Sequence, residues 1–169
     1  MSNTTKTPSI KSINPFNNEV VKEFELMSHE KVASIIDKAD QAFKSWKNTS
    51  IEERATIMHK MASLMRDKKE DLGKLATLEM GKVLAQAIGE VKICAAIFDY
   101  YADNAAEFLA DKPLEVPHGE AFLSYEPIGV ILSVQPWNFP FYQMTRSAAA
   151  HITAGNAMVL KHSSNVPQC

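Results

Sequence analysis

An α/β fold with parallel strands is predicted by three features late in the sequence. Gly129-Val130-Ile131-Leu132-Ser133-Val134 is an apolar run of the kind that forms a strand buried on both faces, as in a parallel sheet. Phe141 to Ala154 is a helical stretch that starts just behind Pro140 and stops at Gly155, the residue type that most readily takes a left-handed C-terminal cap. Ala157-Met158-Val159-Leu160-Lys161 is a second apolar run, completing strand, loop, helix, strand. The connecting loop, Pro136-Trp137-Asn138-Phe139-Pro140, then lies at the carboxyl end of the first strand, where open α/β sheets bind ligands. Two prolines stiffen that loop, and Asn138 gives it one neutral amide side chain.

The remaining elements follow in order from the amino terminus. Ile10 to Phe24 reads as a short hairpin turning at Asn14-Pro15-Phe16-Asn17-Asn18. A first helix carries Val32, Ile35, Ile36, Ala39, Phe43 and Trp46 at helical spacing, with Lys31, Asp37, Lys38, Asp40 and Lys44 opposite. Ser50-Ile51-Glu52-Glu53 matches a capping box and opens a second helix whose buried face is expected at Ile57, Met58, Met61, Leu64 and Met65. The mixed-charge run Arg66-Asp67-Lys68-Lys69-Glu70-Asp71 reads as a solvated helix end. A third helix starts near Asp71 and breaks or kinks at Gly81. A fourth runs from Lys82 to about Leu109, with Val91, Ala95, Phe98, Tyr101 and Ala102 as expected core and Cys94 as a small buried apolar side chain. Between Lys112 and Pro127, prolines flank a Gly119 turn between two short strands.

Composition narrows the function classes. A net charge of -2 gives no reason to expect nucleic acid or anionic lipid as a partner. No apolar stretch has the length of a membrane span, and Met1 to Thr7 is polar with no apolar core behind it, unlike a secretory signal. Two cysteines do not make a disulfide framework, and the cytoplasm is the expected compartment. His29, His59, His118, His151 and His162 show no metal-ligand spacing among themselves or with the cysteines.

Four motifs in order, Pro127-Ile128-Gly129-Val130, Pro136 to Pro140, Ala154-Gly155-Asn156 and Val159-Leu160-Lys161, give the chain a wider identity. Together with Asn14-Pro15-Phe16-Asn17 and Glu79-Met80-Gly81-Lys82 upstream, they resemble the NAD(P)-dependent aldehyde dehydrogenase superfamily over nearly the whole chain. The resemblance implies a Rossmann-like cofactor domain, incomplete here, with an amino-terminal helical layer and a β-ribbon oligomerisation arm. Residues 1–111 would be the hairpin and helical layer, 112–127 the ribbon arm, and 128–169 the first β-α-β part of the dinucleotide-binding sheet, with the catalytic domain absent. In that family the arm pairs with another subunit, so a homo-oligomer is expected for the complete protein. A hairpin folded on its own domain is the alternative.

The same resemblance implies site roles. Attack of a cysteine thiolate on an aldehyde puts negative charge on the adduct oxygen, and Asn138 is the expected donor to it. Val134, Gln135, Pro136, Trp137, Lys161, His162, Ser163 and Ser164 are the expected contacts of the cofactor, NAD or NADP. Many NAD-preferring members carry a glutamate where Ser164 stands, so NADP should be tolerated. Arg146 lies where succinate-semialdehyde dehydrogenases hold the substrate carboxylate, a role that suits a planar guanidinium. A surface arginine paired to a carboxylate is the alternative. Ser147 replaces a lysine often found in the superfamily. The wording from Phe141 to Arg146 and from Lys161 to Cys169 looks closest to a bacterial succinate-semialdehyde dehydrogenase branch.

The family's nucleophilic cysteine and general-base glutamate lie beyond the Lys161 motif, and Cys169 lacks the glycine-rich setting of a reactive cysteine. The chain is therefore expected to be the amino-terminal part of a longer enzyme, inactive alone. The small-molecule partner is an aldehyde. A dehydrogenase passing its acyl group to coenzyme A and an inactive oligomerisation module remain the rival expectations.

Overall fold

The computed structural model describes residues 8–169. The expectation for Met1 to Thr7, a polar start unlike a secretory signal, lies outside them. Strands β1 (Ser9–Ile13) and β2 (Val20–Glu25) form the amino-terminal hairpin. Asn14 shapes its turn, with Oδ1 accepting from the Phe16 N–H at 3.0 Å, a local Asx bond. Four helices follow: α1 (His29–Trp46), α2 (Ile51–Asp67), α3 (Lys69–Met80) and α4 (Leu84–Phe108). A ribbon of β3 (Lys112–Leu114) and β4 (Ala121–Leu123) leads to β5 (Val130–Val134), α5 (Pro140–Thr153) and β6 (Ala157–Lys161). The last three form a parallel β-α-β unit in which Val130 pairs with Ala157 and Val134 with Lys161.

Helix α4 is the centre of the core. Ala87, Val91, Cys94, Ala95, Phe98 and Ala102 recur along its buried side and meet Met58, Ala62 and Met65 of α2, Ala76 of α3, and Phe141 and Ala149 of α5. The capping box of α2 forms as its sequence requires: Ser50 Oγ accepts from the Glu53 N–H and Glu53 Oε2 from the Ser50 N–H. Gly81 ends α3 in the left-handed region at φ 74° and lets the chain turn into α4. Helix α1 lies against β5 and β6, and the Trp46 indole donates to the Ile152 carbonyl at 2.9 Å.

Several expectations need correction. Strand β5 is not buried on both faces: Ser133 is buried, whereas Leu132 and Val134 are 67% and 65% exposed. The sheet has two strands among the described residues, so α1 and α5 cover it only in part. The buried face of α2 is Arg54, Met58, Ala62 and Met65, with Ile57, Met61 and Leu64 exposed. Small Ala62 admits close packing on α4, and that rotates the helix away from its bulkier apolar stripe. Helix α1 has no buried residue, and Val32 and Ile36 are exposed. Tyr101 of α4 is half-buried. The charge run at 66–71 spans the junction of α2 and α3, and Arg66 pairs with Asp99 of α4. His59 completes that surface cluster, with Nδ1 2.8 Å from Asp99 Oδ1 and Nε2 3.2 Å from Asp103 Oδ1.

The turn from α5 into β6 depends on two residues. Asn156 is 5% exposed, and its Oδ1 accepts the N–H groups of Ile128 (2.8 Å) and Gly129 (3.0 Å), fixing the entry to β5. Gly155 has φ 95°, and a Cβ there would collide with Nη1 of Arg54 and lie 3.3 Å from Pro127 Cγ. Gly155→Ala should lower stability by about 2 kcal/mol or more, combining left-handed strain with the clash. Gly89→Ala, on α4 with nothing within 4 Å of the added carbon, should raise it by roughly 0.5–1 kcal/mol. Urea unfolding midpoints measure both, and equal effects would contradict this account of the turn.

Candidate active site

Strands β5 and β6 end side by side, and the Gln135 N–H extends their pairing by donating to the Lys161 carbonyl at 3.0 Å. The loop from Pro136 to Phe139 leaves this edge and enters α5 with Pro140 in the first turn. Proline has no N–H, so the first donors α5 offers are those of Phe141 and Tyr142. The N-cap residue is Phe139, and no local side chain caps the helix. Glu90 of α4 does so instead. Its Oε1 accepts from Phe141 N at 2.9 Å and Tyr142 N at 3.0 Å, placing a carboxylate at the positive end of the helix dipole.

The other oxygen of Glu90 pairs with the ammonium of Lys82, which lies between α3 and α4. The two side chains are 1% and 8% exposed. Lys82 Nζ also donates to the Asn138 carbonyl at 3.1 Å and sits 3.6 Å above the Phe139 ring. The loop backbone is thus held from below, while the side chain of Asn138 is exposed and has no hydrogen bond among the described residues. Trp137 beside it is 51% exposed.

Sequence reasoning missed Lys82 and Glu90 as parts of this site. Lys82 figured only in the motif Glu79-Met80-Gly81-Lys82 and as the expected start of the fourth helix. Glu90 carried a readable signal: it falls three residues after Ala87 and four before Cys94, on the apolar stripe of α4. A carboxylate there must find partners or cost several kcal/mol.

Arg146 lies on α5 beside an open depression of about 240 Å³ lined by Gln135, Gln143, Arg146 and Ser147. It is exposed and has no carboxylate partner among the described residues. Ser147 accepts from Ser133 Oγ at 3.2 Å. Gln135 also borders a second hollow, whose lining includes Pro136, Pro140, Met144, His162, Ser163 and Cys169. The Arg146 side and the strand-end side of the loop therefore adjoin.

On the strand-end side, Lys161 is exposed and donates to the His162 carbonyl at 2.5 Å, and His162 Nδ1 donates to the Ser163 carbonyl at 2.8 Å. Ser163 Oγ bonds Asn165 Oδ1, and Ser164 is exposed. No acidic residue occurs from Ala157 to Cys169. Hydroxyls, an imidazole and an ammonium without a carboxylate among them form a donor set that fits the ribose and phosphate groups of a dinucleotide. Val134 pairs with Lys161, the Gln135 N–H donates to the Lys161 carbonyl, and Gln135 and Pro136 line the same hollow as His162 and Ser163.

Neither cysteine is set up as a nucleophile. Burial pushes the Cys94 thiol up to about 11, with Glu90 adding to the rise. Burial also raises that of Cys169, helped by Glu79, whose carboxylate accepts the Gln168 and Cys169 N–H groups at 2.9–3.1 Å. A thiol held protonated at neutral pH is a poor attacking group. Among the described residues no group of three or more His, Cys, Asp or Glu side chains is placed to hold a metal ion.

Comparison with known proteins gives this loop and its supports a family. The chain is 42% identical to a succinate-semialdehyde dehydrogenase [NADP(+)] of Deinococcus radiodurans over 93% of its length, covering 33% of that protein. It is 43% identical to succinate-semialdehyde dehydrogenase [NADP(+)] 1 of Mycobacterium tuberculosis, with 95% of the chain and 36% of the relative covered. The crystal structure of succinic semialdehyde dehydrogenase from Streptococcus pyogenes in complex with NADP+ superposes with a TM-score of 0.91 at 41% identity, covering 94% of this chain and 35% of that one. The chain spans about a third of the length of the relatives it matches. No described helix is long and apolar enough to cross a membrane. The mixed α/β architecture is part of the fold of these neighbours, and the family model for the aldehyde dehydrogenase family matches residues 2–169. The chain belongs to the aldehyde dehydrogenase family.

Proposed function

We propose that this chain supplies the cofactor side and the oxyanion donor of an enzyme that oxidises succinate semialdehyde, or a similar carboxylated aldehyde, to its acid. The observation that carries the proposal is the unengaged amide of Asn138, displayed at the ends of two parallel strands by a loop whose backbone is pinned. Residues outside these 169 provide the cysteine. Its thiolate adds to the aldehyde carbon, a C–S bond forms, and the carbonyl oxygen takes the negative charge. An amide donates to that oxygen with no proton to lose, so Asn138 lowers the barrier without altering the acid–base state of the site. Once the adduct carbon has lost its hydride and the C=O bond has re-formed, the adduct is a thioester, and water hydrolyses it to release the acid and the thiol.

Lys161, Ser163, Ser164 and His162 would hold the ribose and phosphate groups of NADP or NAD, with Val134, Gln135, Pro136 and Trp137 against the rest of the cofactor. When bound, its nicotinamide accepts the hydride released from the aldehyde carbon. Ser164 in place of a carboxylate leaves nothing to repel a 2′-phosphate, in keeping with the NADP named for the relatives. Arg146 faces the adjoining depression with an unpaired guanidinium, suited to a substrate carboxylate. The ribbon of β3 and β4, with Leu114 and Phe122 exposed, is the surface assigned to a second copy.

Two variants of the full-length enzyme test these roles. Asn138→Ala should lower kcat by about two orders of magnitude with cofactor KM within about threefold, as for loss of one oxyanion donor. An unchanged kcat would remove Asn138 from the chemistry. Arg146→Leu should raise KM for succinate semialdehyde by about 10- to 100-fold, the value of a charged hydrogen bond, and that for an uncharged aldehyde by much less. Equal effects on both substrates would make Arg146 an ordinary surface residue.

A further inference from the structure

We propose that Lys82 is a positioning residue for Asn138, and that Glu90 frees the Asn138 amide by taking over the capping of α5. The inference rests on the reading of Asn138 as oxyanion donor. The N-cap residue, Phe139, has no side-chain acceptor, so the nearest side chain able to accept from the first turn of α5 is that of Asn138. Here those N–H groups are already taken, because Glu90 Oε1 accepts both Phe141 N and Tyr142 N from a helix 51 and 52 residues away in sequence. The Asn138 side chain is left with no bond among the described residues.

Freedom alone would let the amide wander, and Lys82 restrains its root. The ammonium donates to the Asn138 carbonyl at 3.1 Å, which fixes the peptide plane between Asn138 and Phe139. It lies 3.6 Å above the Phe139 ring and pairs with Glu90 Oε2, so the one cation holds the backbone of Asn138, the ring of Phe139 and, through Glu90, the N–H groups of Phe141 and Tyr142. Its side chain is only 8% exposed, so little water competes for these bonds. Lys82 reaches the loop from the connection that Gly81 turns, outside the β-α-β unit. The pair thus separates two tasks that a local asparagine would combine: Glu90 caps the helix, and Lys82 aims the residue before it.

The test is a double-mutant cycle in the full-length enzyme with Lys82→Met, Asn138→Ala and the combination, reading kcat, both KM values and thermal midpoint. Lys82→Met should lower kcat by about tenfold or more with aldehyde and cofactor KM within about threefold, as for a small misplacement of a catalytic group. The double variant should be no slower than Asn138→Ala alone within about twofold, since Lys82 acts through Asn138. Lys82→Gln, which keeps an N–H donor, should recover part of the kcat lost in Lys82→Met, and it carries the cycle if Lys82→Met does not fold. Lys82→Met at wild-type kcat beside an impaired Asn138→Ala, or losses that multiply, would overturn the proposal while leaving the oxyanion role intact. An unimpaired Asn138→Ala would remove the oxyanion reading itself and this one with it. Failure of both Lys82 variants to fold would make the residue one of stability only and would also overturn it.

Discussion

The buried carboxylate of Glu90 is the point on which the rest of this site depends. It sits on the core stripe of α4, where an ionised group without partners would cost several kcal/mol, and it is fully engaged: one oxygen takes two backbone N–H groups of α5 and the other takes Lys82. Those bonds tie the connection after α3, the core helix and the start of α5 together around one charge. The loop bearing Asn138 needs no internal hydrogen bonds of its own, because its two ends and its middle are held by groups outside it. Removing either partner of such a pair leaves a buried charge exposed to an apolar core, which typically costs 3–5 kcal/mol.

The same device recurs. Glu79, 3% exposed at the end of α3, accepts the N–H groups of Gln168 and Cys169, while the Gln168 amide reaches the buried hydroxyl of Ser12 in β1. Asn156 accepts those of Ile128 and Gly129. Three buried acceptors each hold two neighbouring N–H groups: ahead of a strand, in the first turn of a helix, and at Gln168 and Cys169. Irregular backbone packed against the core must satisfy its polar groups somewhere, and here distant side chains do so. The exposed faces of Leu132 and Val134 show the opposite condition, a strand whose backbone is paired while one side remains open among the described residues.

Local physics was legible in the sequence. The capping box at Ser50 and Glu53, the turn at Asn14, the end of α3 at Gly81 and the end of α5 at Gly155 all arise from residues within a few positions of one another. The loop bearing Asn138 could be placed because strand order alone sets it at the sheet edge. What holds the loop was not legible, since Lys82 and Glu90 reach it across 56 and 51 residues. The helix faces failed for a related reason. Periodicity gave α2 one face of bulky apolar residues, and the packing of Ala62 on α4, with Arg54 beside Gly155, turned a different face inward. A glutamate at a core-spaced position in α4 was the one signal of the hidden clamp that was present and passed over.

The most direct test is a crystal structure of the full-length enzyme with an aldehyde trapped as its covalent adduct. The account predicts Nδ2 of Asn138 about 3 Å from the adduct oxygen, with the Lys82 and Glu90 bonds to the loop unchanged. An Asn138 amide turned back to cap α5, or an adduct oxygen directed away from the loop, would contradict it.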